Sequence, residues 1–138
     1  GTDCRVLDPE QNLVYLAAHL GHHGYSRLIW FYDLDLVIKK EGEGLDWEAV
    51  IERARRYRSA AAVHHALSLA RLLLGTSVPE DVLSQLAPAV YKRYPIEWRI
   101  GRKRVLTGEF YRPGRLSLSE RFLFNDSWPR ALRAYLRG

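Results

Sequence analysis

His19, His22 and His23 crowd one short stretch of the chain. Histidine is the side chain that changes charge near neutral pH. On a helix, His19 and His23 stand one turn apart and share a face, with Asn12 between them and Leu16 beside them. His22 points away toward solvent. An i, i+4 histidine pair can give a metal two ligands. No extended ligand pattern accompanies this one, and Asp33 could join it only if the first two helices pack suitably. The plainer expectation is two boundary histidines bonded to neighbouring helices, with no metal site. Asp33-Leu34-Asp35 forms the second constellation. A D-x-D pair can hold Mg²⁺ for nucleotidyl transfer, provided both carboxylates point one way, as on a strand. On a helix, residues two apart diverge by about 200°. The helical pattern of residues 27–40 is the stronger one, although Gly24-Tyr25-Ser26 imitates the Gly-Ser that precedes such pairs. Asp33, between Trp30 and Val37, is then expected to be a half-buried carboxylate paired with an Arg or His. Asp35 is expected to face outward near Lys39.

Arg58 and His64 make the third constellation. Small all-α RNases of the HEPN type use an Arg and a His at comparable spacing. The plainer reading is a helix-start Arg and a surface His sharing a polar face with Ser68 and Arg71. The fourth lies beyond residue 90. Residues 1–90 carry net charge −3 and residues 91–138 carry +8, within a total of +5. Nine of the sixteen aromatics also fall in that last third. Arg99, Arg102, Lys103 and Arg104 lie beside Trp98, a mixture suited to phosphate contact and base stacking. Nucleic acid is therefore one expected partner. The alternatives are Arg–aromatic stacking within the fold and docking onto another part of the parent protein.

The elements that must position these residues are helices. Asp8 caps and Pro9 starts a first helix that runs to about Gly24, with Leu13, Leu16, Ala17 and Leu20 as its stripe. Ser26 is expected to cap a second, from Arg27 to about Lys40. That helix is apolar almost all round, so it should be central and covered. Asp46 caps a third, with Trp47, Val50, Ile51, Ala54 and Tyr57 inward and Arg53, Arg55, Arg56 and Arg58 on its other face. A fourth runs from about Ala60 to Leu74 and stops at Gly75. A fifth opens at Pro79 and ends near Ala87. The expected fold is an all-α, antiparallel helical bundle of about five to seven helices. Residues 1–90 form its core domain, and residues 91–138 form a less regular, basic helical extension packed on it.

The 138 residues include one cysteine and no methionine. A lone Cys4 supports neither an internal disulfide nor a cysteine-based zinc site. No run approaches the roughly 18 apolar residues of a membrane span, so no membrane partner is expected and a cytoplasmic location is.

From Leu13 to Ile38 the sequence resembles a family of largely uncharacterised bacterial nucleotidyltransferases. The pattern is a Leu, two histidines four apart, an aromatic, Arg-Leu, Trp and Asp-Leu. It falls here on His19, His23, Tyr25, Arg27, Leu28, Trp30, Asp33 and Leu34. Asp46-Trp47 and an alanine- and arginine-rich helix pair ending in Leu-Gly extend it to about residue 90. The resemblance implies a preceding catalytic domain carrying a Gly-Ser and acidic motifs, which would bind Mg²⁺ and a nucleoside triphosphate. No such segment precedes Pro9, and the absent methionine agrees with a piece of a larger protein. The chain alone is thus expected to lack catalytic residues and cofactors, and to position substrate beside the catalytic domain. His19, His23, Arg27, Trp30, Asp33 and Trp47 are expected to form one interface, with Asp33 paired to His19, His23 or Arg27. A nucleic-acid-binding module and a HEPN-like RNase are the alternatives.

Overall fold

The computed structural model describes residues 7–89, which form five α-helices and no strand. They are α1 (Pro9–His22), α2 (Leu28–Glu41), α3 (Trp47–Arg56), α4 (Ala60–Leu74) and α5 (Glu80–Leu86), with a 3-10 turn at Gly42–Gly44 between α2 and α3. The all-α class is as expected. Arg99, Arg102, Lys103, Arg104 and the extension 91–138 lie outside the described residues. No helix among the described residues is long and apolar enough to cross a membrane.

Local chemistry sets most of the boundaries. The Asp8 carboxylate accepts from the Gln11 N–H at 2.8 Å and Pro9 starts α1, where a missing N–H costs nothing. Asp46 caps α3 in the same way, through the Ala49 N–H at 3.1 Å. Gly75 ends α4 in the left-handed conformation at φ 70°. Ser26 does not cap α2. Its hydroxyl donates to the His23 carbonyl at 3.1 Å, and Arg27 stands at the cap position without a side-chain bond.

The central helix is α4, not α2. It packs against all four other helices, and its buried side runs from Ala61 to Ala70 with only Ser68 partly exposed. Small residues permit this: a Cβ added at Gly21 of α1 would come within 2.9 Å of the Ala62 Cβ. The helix α2 buries Phe31, Leu34, Asp35 and Ile38 against α1 and α4. An adjoining face exposes Leu28, Ile29, Tyr32 and Leu36, with Ile29 at 58%. An all-round apolar pattern reports apolar faces, not which of them a neighbour covers. Tyr57, expected inward, is exposed just past the end of α3.

Candidate functional site

The corner between α1 and α2 is built by a helix-ending motif. The Tyr25 N–H donates to the Leu20 carbonyl at 2.9 Å, and the Gly24 N–H donates to the Gly21 carbonyl at 3.1 Å. This is a Schellman pairing, with Gly24 left-handed at φ 66°. Tyr25 follows it, also left-handed at φ 56°, which costs a non-glycine residue about 1–2 kcal/mol. Burial of the ring offsets that cost. Tyr25 is 0% exposed, and its hydroxyl donates to the Ala62 carbonyl at 3.1 Å. The chain is thereby turned so that the first turn of α2 lies over the last turn of α1.

Four of the six residues expected to share an interface meet there. The His19 and His23 rings are 4.5 Å apart between centroids. Each lies 5.0 Å from the Trp30 ring, His19 edge-on and His23 tilted. The Arg27 guanidinium sits over Trp30, 5.2 Å from its centroid, a cation–π distance. His22 joins the group at 5.5 Å from His23, and Tyr15 stacks on His19 at 6.2 Å. The ring nitrogens of the three histidines make no hydrogen bond or ion pair with other described residues. Burial pushes the His23 imidazole below its ordinary range, and the charges of His19, His22 and Arg27 push the same way. The four-residue spacing identified the histidine pair, and the family resemblance brought in Arg27 and Trp30. Tyr15 and the anchoring role of Tyr25 were missed, because both depend on the turn.

Asp33 and Trp47 stand apart. Asp33 is half-buried on α2 and makes no hydrogen bond or ion pair with another described residue, so the expected pairing with His19, His23 or Arg27 does not form. Trp47 opens α3, where the Asp46 N–H donates to the Glu10 carboxylate at 3.2 Å. Glu10 lies in the first turn of α1, about 13 Å along the helix from His19.

Asp35 is corrected outright. It is buried at 2% exposure, not outward. One carboxylate oxygen accepts from the Thr76 hydroxyl at 2.7 Å, and the other meets Lys39 Nζ at 2.7 Å. Burial pushes this carboxyl up, yet the Lys39 and Thr76 hydrogen bonds and the Lys39 charge outweigh it and hold it low. His64 is corrected too. It is 5% exposed, and its Nδ1 lies 2.9 Å from the Leu83 carbonyl, inside the bundle. Arg58 is exposed and left-handed at φ 54°. A buried, bonded imidazole on α4 and an exposed helix-end guanidinium do not make an open phosphodiester site.

Mg²⁺ and a nucleoside triphosphate do not fit the Asp33 and Asp35 carboxylates. Asp33 and Asp35 point to different sides of α2, and Asp35 is spent on Lys39 and Thr76. No group of three or more His, Cys, Asp or Glu side chains among the described residues is arranged to hold a metal ion. What the corner offers is binding chemistry: imidazole and guanidinium donors around an aromatic ring.

No curated protein and no solved structure matches the chain. Residues 1–75, more than half of the chain, match a family described as uncharacterised nucleotidyltransferases, the stretch that includes the corner and α2. The chain belongs to this uncharacterised nucleotidyltransferase family.

Proposed function

We propose that this chain is a helical substrate-positioning domain that serves nucleotidyl transfer beside a separate catalytic domain, the partner that holds Mg²⁺ and the nucleoside triphosphate. The observation that carries the reading is the convergence of His19, His23, Arg27 and Trp30, from the end of α1 and the start of α2, on one partly exposed corner within the family match. The engagement of Asp35 in the fold supports assigning the catalytic carboxylates elsewhere.

The test is pyrophosphate release. This chain, given Mg²⁺ and each nucleoside triphosphate, is expected to release none. Release that disappears in Asp33→Asn would overturn the reading. In the complete protein, His19→Ala and Trp30→Ala raise KM at nearly constant kcat, the signature of lost binding rather than lost chemistry. A second reading, nucleic-acid binding by residues 91–138, is favoured by their net charge of +8. It predicts a gel shift that weakens steeply with salt.

A further inference from the structure

We infer that the α1–α2 corner binds a phosphate group, held by His19, His22, His23 and Arg27 beside Trp30. This rests on the reading that the corner faces substrate, and it names the part of the substrate taken there.

The donors are close enough to share one small anion. His23 has His19 at 4.5 Å and His22 at 5.5 Å between ring centroids. At that spacing, neighbouring ring N–H groups can bond different oxygens of a single tetrahedral anion. Arg27 reaches the same Trp30 ring that His19 and His23 touch, and its planar fork suits phosphate. The ring nitrogens are available as well as close, since those of the three histidines make no hydrogen bond or ion pair with another described residue.

Other ligand classes fit less well. A metal would need three ligands converging on one point, and no group of three or more such side chains among the described residues does so. A nucleobase would need a free aromatic face, whereas Trp30 already has two imidazoles against it and a guanidinium over it. The electrostatics select an anion. Tyr15, His19 and His22 face the site from α1, His23 from its C-cap and Arg27 from the N-cap of α2, and Asp33 stands on the flank of α2. From α4, Ala62 and His65 lie behind Tyr25. The described charges that bear on His23 are those of His19, His22 and Arg27, all of one sign. Crowding of that kind disfavours protonation of His23 while the site is empty. A bound dianion reverses it, so binding of the dianion is accompanied by proton uptake on the imidazoles.

The experiment follows the histidine ring signals of the full chain by NMR in chloride-matched buffer. Inorganic phosphate is added in one arm, adenosine monophosphate in a second and adenosine in a third. The expected result is a raised titration midpoint for His19 and His23 with phosphate and with the monophosphate, with His64 and His65 unmoved. Affinity should fall about tenfold in His23→Gln and in Arg27→Gln, the loss of one charge-assisted bond. A monophosphate that binds more tightly than phosphate identifies a nucleotide as the source, and equal binding identifies the free anion. Unmoved midpoints overturn the inference. So does phosphate binding that His23→Gln leaves intact, or a response that adenosine alone reproduces. Phosphate binding here, combined with a KM for transfer that His23→Gln does not change, would sink only the positioning reading. A raised KM without phosphate binding would sink only this inference.

Discussion

Asp35 shows how a single carboxylate can be buried and still charged. Lys39 on its own helix and Thr76, beyond the end of α4, supply the hydrogen bonds that water no longer gives. Thr76 also donates to the Ala70 carbonyl at 3.2 Å, so its hydroxyl proton is shared between two acceptors. Replacing Thr76 by Val removes that donor and leaves a buried oxygen with one partner fewer. It should lower unfolding free energy by about 1–2 kcal/mol in urea titrations. The pH dependence has a definite sign. Because the folded carboxyl is held below its ordinary range, its contribution is complete above that range and is lost as the pH falls through the lower folded value. Thr76→Val should therefore cost less in strong acid than at neutral pH. Nothing local in the sequence marks Asp35 as buried, since Thr76 is 41 residues away. An i, i+4 lysine reads equally well as a surface pair.

At the scale of elements, the end of α3 repeats the motif that ends α1. The Ser59 N–H donates to the Ala54 carbonyl at 2.8 Å, and the Arg58 N–H donates to the Arg55 carbonyl at 3.0 Å. The left-handed position is held by Arg58, where the α1 corner has Gly24. Arg58→Gly should therefore stabilise the fold by up to about 1 kcal/mol, seen as a higher urea midpoint at unchanged slope. Loss of stability in that variant would show that the guanidinium makes a contact worth more than the backbone strain. Caps of this kind explain what the sequence made legible. Asp8-Pro9, Asp46 and Gly75 each act within four residues, so α1, α3 and α4 could be bounded from the sequence. The cover of α2 could not be read that way. Phe31, Leu34 and Ile38 define one apolar face, and Leu28, Ile29, Tyr32 and Leu36 define the other. Periodicity is silent on which of them meets α4. The histidine corner was half legible: four-residue spacing joined His19 to His23, but Trp30 arrives only through the Schellman turn.

Over the molecule as a whole, α1 is pinned along its length. Arg53 of α3 forms an ion pair with Asp8, and the Asp46 N–H bonds Glu10, which holds the first turn of α1 against α3. At the other end, Gly21 lies close against Ala62 of α4, and Tyr25 bonds the same residue. The His–Arg–Trp corner thus sits on a buttressed element and not on a free loop, which is what a binding constellation needs to keep its geometry. Tyr25 carries a consequence for timing. The Tyr25 amide is bonded to Leu20 and belongs to a residue with no exposed surface. In hydrogen exchange with deuterated solvent, that amide should be replaced as slowly as those in the middle of α4, although it lies in a connection between helices. Tyr25→Phe, which keeps the ring and removes the bond to Ala62, should speed its exchange about fivefold or more through a loss of about 1 kcal/mol. A connection that opens only when the core opens holds the backbone that carries His23 and Arg27 in one arrangement for nearly the whole life of the folded protein.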